Sequence, residues 1–132
     1  MVEDTTHPTV MICDDDDVFL SFCSRILKKA GFHVITAANG DDAIEHINTG
    51  TPIRLALIDL LMPVRSGWEV IEHMKKNPAT REVPIIAITG LAPSPEDLKR
   101  VKGKCNAVVH KGADFNLEEF SGLIEELTKG EN

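Results

Sequence analysis

Carboxylates carry most of the chemistry in this sequence. Asp14, Asp15, Asp16 and Asp17 follow the short apolar run Val10 to Cys13, and Asp59 follows another, Leu55 to Ile58. Thr89 follows Ile85 to Ile88, and Lys111 follows Ala107 to His110. A short apolar run stopped by polar residues reads as a buried strand that ends there. Magnesium takes carboxylate oxygens, keeps several waters and needs few protein ligands. Carboxylates crowded together without a cation repel and raise one another's pKa, which a divalent ion relieves. A carboxylate beside such an ion can attack a phosphoryl donor and become an aspartyl phosphate. A lysine acting as a point charge and a threonine hydroxyl could then hold the transferred oxygens. Taken singly, each residue has a plainer reading: acids after a strand cap helices, and a lone threonine or lysine carries no signal. Their joint placement at four strand ends is what points to a site. Whether Asp16 or Asp17 joins it, caps a helix or is merely solvated stays open.

Elements of two periodicities must position these residues. Phe19, Phe22, Cys23, Ile26, Leu27 and Ala30 recur at helical spacing, and Gly31 ends that helix. A second, weaker strand covers His33 to Ala37, and Asn39-Gly40-Asp41-Asp42 opens a helix that carries Ala43, Ile44 and Ile47 inward. Pro63 and Gly67 bracket a loop, after which Trp68, Ile71 and Met74 mark a third helix. Ser94-Pro95-Glu96-Asp97 starts a fourth, whose apolar stripe is thin: Leu98, Val101 and Cys105. Asn116 caps a last helix carrying Leu117, Phe120, Leu123, Ile124 and Leu127. Strict alternation of five strands and five helices implies one parallel sheet with helices on both faces. Ligands of such sheets bind beyond the carboxyl ends of the strands, where the residues above lie.

Bulk composition fits this frame. The 132 residues suit one domain, and 42% hydrophobic with 27% charged residues describes a chain with a real core. A net charge of -7 argues against nucleic acid or an anionic membrane as direct partner. Cys13, Cys23 and Cys105 are widely spaced and lack a CxxC pair, which fits reduced thiols rather than disulfides or zinc. No apolar run approaches the roughly 20 residues of a membrane span, and the start Met1-Val2-Glu3-Asp4 lacks the basic residues of a signal peptide. A cytoplasmic location is expected.

Four motifs together resemble the response-regulator receiver domains, of which the single-domain chemotaxis regulator is the simplest member. They are Val10-Met11-Ile12-Cys13-Asp14-Asp15, Asp59-Leu60-Leu61-Met62-Pro63 followed by Gly67, Ile88-Thr89-Gly90, and Val108-Val109-His110-Lys111. The resemblance runs over residues 9–129, leaving residues 1–8 as an N-terminal extension and 130–132 as a C-terminal tail. It implies a flavodoxin-like (CheY-like) α/β fold, a single doubly wound five-stranded parallel sheet with five helices and strand order 2-1-3-4-5. It implies Asp59 as phosphoacceptor, with Asp14, Asp15, Asp59 and the backbone carbonyl of Leu61 around Mg2+, and Thr89 and Lys111 as phosphoryl contacts. The donor would be a phosphohistidine on a sensor histidine kinase or a histidine phosphotransfer protein. The output would be a downstream protein met through helix 4, strand 5 and helix 5. Such a chain is a phosphoacceptor signalling domain rather than an enzyme, limited to self-phosphorylation and slow autodephosphorylation. Family residues two past the acceptor and two past the threonine flank the hydrolytic water. Here they are Leu61 and Leu91, apolar, so slow loss of the phosphoryl group is expected.

Two positions depart from the family pattern. Gly112 follows Lys111 where the family usually has proline, often after a cis peptide; a trans bond and a looser lysine are expected here. Val108 stands three before the lysine, where the family often has an aromatic residue, and the chain has no tyrosine. Switching is therefore expected to run through Thr89 and the helix from Pro95 to about Lys102, without an aromatic rotor. These departures leave a degenerate receiver acting only as an interaction module as the alternative, which metal binding would separate. The pattern Asp14-x-Asp16-x-Val18 also matches the first motif of haloacid-dehalogenase-type phosphatases. A helix directly after the acids leaves no room for their inserted flap, and that reading leaves Asp59 unexplained. A flavodoxin-like cofactor binder would need a hydroxyl- and glycine-rich phosphate loop where this chain has four aspartates.

Overall fold

The computed structural model describes residues 8–62, 64–90, 94–112 and 115–129. Strands and helices alternate along the chain: β1 (Thr9–Cys13), α1 (Asp17–Lys29), β2 (His33–Ala37), α2 (Gly40–Asn48), β3 (Leu55–Asp59), α3 (Gly67–Lys76), β4 (Ile85–Thr89), α4 (Pro95–Lys104), β5 (Ala107–His110) and α5 (Leu117–Thr128). The strands form one parallel sheet in the order β2-β1-β3-β4-β5. Each connection must then carry the chain back along the sheet, and a helix does this in every case.

Alternation along the strands divides the core into two layers. Met11, Ala56, Ile58, Ile85 and Ala87 face one side and pack with α2, α3 and Val101 of α4. Val10, Ile12, Leu55, Leu57, Ile86 and Ile88 face the other, against Phe19, Cys23 and Leu27 of α1 and Phe120 and Ile124 of α5. β3 and β4 are buried along their whole length, which is why they read as unbroken apolar runs. β5 is only half-buried because it lies at the sheet edge.

Helix starts are set by side-chain caps that accept backbone N–H groups. Asn39, Ser66, Ser94 and Asn116 each accept from the third residue beyond, a contact worth about 1 kcal/mol. The apolar periodicity overstates two burials: Phe22 of α1 and Ala30, the C-cap that follows it, are exposed beside the stripe formed by Phe19, Cys23 and Leu27. Leu98 of α4 is 38% exposed, and Val101 is the one buried residue of that helix, which runs to Lys104 rather than Lys102. No helix among the described residues is long and apolar enough to cross a membrane.

Candidate functional site

At the carboxyl end of β1 the chain turns sharply through its acids. Asp14 is fully buried, and its N–H continues the ladder to the carbonyl of Ala37 on β2 at 3.0 Å. Its Oδ1 accepts the N–H of Asp16 at 2.9 Å, which folds the chain back toward α1. Asp16 is the N-cap of that helix, accepting from Val18 at 3.0 Å and Phe19 at 3.2 Å. The open register is thereby settled: Asp16 caps, Asp17 is the first helical residue, and both are exposed. Asp14 and Asp15 remain for the site, one buried and one exposed. Only three residues separate β1 from α1, so no flap of the haloacid-dehalogenase type is inserted there.

Asp59 is the last residue of β3 and is 5% exposed. Its Oδ1 accepts the N–H of Leu61 at 3.1 Å, which orients the carboxylate. Gly67, the first residue of α3, lies so close behind it that a Cβ there would collide with the Asp59 carbonyl and the Leu60 backbone. The third helix thus presses directly on the backbone of this aspartate, and only glycine allows it. Thr89 ends β4, is buried, and pairs in register with His110. Its carbonyl accepts the N–H of Lys111 at 2.9 Å, which fixes where the lysine leaves the sheet.

Lys111 closes the group. Its Nζ donates to Asp14 Oδ1 at 2.9 Å and lies 2.8 Å from Asp14 Oδ2, 3.7 Å from Asp59 Oδ2 and 3.9 Å from Asp16 Oδ2. One carboxylate oxygen each from Asp14, Asp15 and Asp59 lie within 4.8 Å of one another. Burial, followed by the charge of Asp14, pushes the Asp59 carboxyl up to about 7, against the opposing Leu61 N–H and Lys111 charge. Burial pulls the Lys111 ammonium down, but the hydrogen bond from it to Asp14 and the surrounding acids win and raise its pKa.

These residues fit a small divalent cation. Three carboxylates against one ammonium leave an excess of two negative charges when all are ionised. Asp14 Oδ2 is buried and ion-paired with Lys111 at 2.8 Å, and it has no hydrogen-bond partner among the described residues. A buried carboxylate oxygen in that condition is costly unless a further positive group meets it.

Other expected residues fall as follows. Leu61 is 60% exposed beside Asp59. Pro63 and Leu91 lie outside the described residues, as do residues 1–7 and 130–132 of the two termini. Gly112 has φ +97°, and no cis peptide occurs among the described residues, as expected after Lys111. Val108 is half-buried against the layer that contains Val101. The three cysteines are free; burial raises all three thiols, that of Cys23 to about 12 and that of Cys105 to about 11, so none is poised as a nucleophile. Sequence reasoning did not anticipate the placement of Phe19, whose ring centroid lies 5.0 Å from Lys111 Nζ. Its position on the helical stripe signalled only core.

The model of the response regulator receiver domain family matches residues 10–121. A probable cyclic di-GMP phosphodiesterase of Vibrio cholerae is 38% identical over 96 residues, covering 73% of this chain and 21% of that protein. The polar-differentiation response regulator DivK of Brucella anthropi is 28% identical over 103 residues, covering 78% of this chain and 83% of that one. The receiver domain of the sensor histidine kinase PA1611 of Pseudomonas aeruginosa, solved with a magnesium ion in its active-site cleft, is 19% identical. It superposes with a TM-score of 0.80 over 94% of this chain and 99% of that chain. The chain spans only 11–31% of the length of three such curated relatives.

Proposed function

The chain belongs to the response-regulator receiver family of two-component signalling, and from that premise we propose that Asp59 accepts a phosphoryl group in a magnesium-dependent reaction. The observation that carries this reading is the convergence of Asp14, Asp15 and Asp59 within 4.8 Å, with Lys111 Nζ 3.7 Å from Asp59 Oδ2. Asp14, Asp15, Asp59 and the Leu61 carbonyl would hold the cation. Bound there, magnesium supplies charge neutralisation for an anionic nucleophile meeting an anionic donor.

The protein groups do the positioning. A carboxylate oxygen of Asp59, held in place by the Leu61 N–H and by Gly67 behind it, attacks phosphorus in line with the leaving group. With a phosphohistidine donor the P–N bond breaks as the new P–O bond forms, and the electron pair stays on the imidazole nitrogen. Lys111 and the Thr89 hydroxyl take the transferred oxygens, Lys111 turning part of its charge from Asp14 to the phosphoryl group. Drawn toward the phosphoryl group, Thr89 shifts the end of β4 and with it α4, biasing a pre-existing population. The phosphodonor is a sensor histidine kinase or histidine phosphotransfer protein, and the target docks on α4, β5 and α5. Residues 9–129 form the domain, acting in the cytoplasm. The apolar side chain of Leu61 offers the hydrolytic water no hydrogen bond, so the phosphoryl group is lost slowly and Leu61→Asn speeds its loss, read by intact mass over time.

Incubation with acetyl phosphate and magnesium tests the reading. Intact mass should rise by one phosphoryl group in the wild type, and neither Asp59→Ala nor a chelated sample should gain it. A chain that binds no magnesium and takes no label would instead be an interaction-only module.

A further inference from the structure

Lys111 is followed by Gly112 at φ +97°, a residue that does not lock the backbone as a proline would. The side chain is nevertheless well placed, with Nζ within 4 Å of three aspartates. Those ion pairs hold the ammonium closest to Asp14, at 2.8 Å, and farther from Asp59, at 3.7 Å. A further contact comes from the Phe19 ring, whose centroid lies 5.0 Å from Nζ.

Phe19 is itself fixed. It is 9% exposed, lies on the buried stripe of α1, and follows directly from the Asp16 cap that its own N–H completes. It meets Phe115 edge-on at 6.1 Å, and Phe115 in turn packs on Phe120 at 5.2 Å and Phe22 at 5.7 Å. Phe115 also closes the loop after β5, its N–H donating to the Gly112 carbonyl at 3.0 Å. One aromatic cluster thus grips the ammonium through Phe19 and the lysine's loop through Phe115. The face of an aromatic ring attracts a cation, and more strongly where water is excluded, as at this buried ring.

We propose that Phe19 is a positioning residue for Lys111: its ring holds the ammonium over the carboxylates, a task that the backbone at Gly112 leaves undone. The proposal rests on the phosphoacceptor reading given above, in which Lys111 contacts the transferred oxygens. It follows that Phe19 acts on phosphoryl transfer through Lys111 and not as a magnesium ligand, since its ring offers no ligand atom.

The test compares Phe19→Leu, Phe19→Tyr and Phe120→Leu in the full chain. Phe120 belongs to the same cluster but is not the ring over Lys111, so it reports the cost of truncating the cluster while the ring that faces the ammonium is kept. In Phe19→Leu the rate constant for labelling by acetyl phosphate should fall between about threefold and thirtyfold. Its magnesium affinity, by calorimetry, should stay within about twofold of wild type, and Phe19→Tyr, which keeps the ring face, should restore the rate. Parallel losses of rate and magnesium affinity, or an equal rate loss in Phe120→Leu, would overturn the proposal and leave Phe19 as core filling. A readout independent of any donor is the ring-current shift of the Lys111 methylene protons. It should be upfield in wild type and vanish in Phe19→Leu. Its absence from wild type overturns the contact, whereas its presence in a chain that takes no label overturns the phosphoacceptor reading alone.

Discussion

At the scale of single residues, Asp59 is held in conflict with its surroundings. It is a buried carboxylate beside Asp14, its carboxyl is raised to about 7, and Lys111 only partly offsets the repulsion. The consequence for stability has a definite sign. A carboxyl raised in the folded state binds its proton more tightly there than in the unfolded chain. Its favourable contribution is therefore complete below about pH 4 and is lost as pH rises toward 7. Metal-free protein should thus lose stability over that window through Asp59, by at most about 1.4 kcal/mol per pH unit. Urea unfolding in chelator at pH 5 and pH 8 measures this, with Asp59→Asn as the reference that cannot titrate. The drop should be smaller in Asp59→Asn, and magnesium should restore the wild type most at pH 8. Identical pH profiles for the two proteins would contradict this account of the site. The acids themselves were legible in the sequence because strand ends announce them. What separated Asp16 from its neighbours was not, since four consecutive aspartates look alike until one is seen accepting the N–H groups of Val18 and Phe19.

Among the elements, α4 stands apart. Val101 is its single buried residue, and two polar contacts tie it to α3: Lys104 Nζ to Glu72 Oε2 at 2.7 Å, and the Arg100 guanidinium 4.1 Å above the Trp68 ring. The hydrogen bond from Lys104 leads the causes that lower the Glu72 carboxyl. Contacts of this kind at a surface contribute up to about 1 kcal/mol each and weaken with salt. The helix proposed to move on phosphorylation is thus held by little hydrophobic burial, and its tether carries its own reporter in the chain's single tryptophan. In Arg100→Ala with Glu72→Gln, amide exchange in α4 should quicken while α2 and its buried Ala43 and Ile47 stay protected. Trp68 emission should change in the same variant. Unchanged protection along α4 would show that Val101 alone holds it. The thin stripe was readable from Leu98, Val101 and Cys105. The clasp was not, because Trp68–Arg100 and Glu72–Lys104 join different helices and no periodicity within either one predicts the pairing.

For the whole molecule, parallel order and twofold layering follow from the sequence pattern with little left over. Short β-rich runs alternate with amphipathic helices, and the two faces of each central strand are apolar, which leaves a covered parallel sheet as the fitting arrangement. Burial at the margins was less legible: periodicity placed Phe22 and Ala30 inward although both border the buried stripe, and it could not tell that β5 would be an edge. The fold brings four strand ends together, and the account stands or falls on what happens at one of them. The most direct measurement is to phosphorylate the chain with acetyl phosphate and magnesium, reduce the acyl phosphate with borohydride, and map the peptides by mass spectrometry. A mixed anhydride on a carboxylate is reduced to the alcohol, so an aspartyl phosphate becomes homoserine at its own position. The account predicts homoserine at position 59 and none at 14 or 15, with none anywhere once magnesium is chelated. Homoserine at Asp14 or Asp15, or a phosphoryl label that persists in Asp59→Ala, would contradict it.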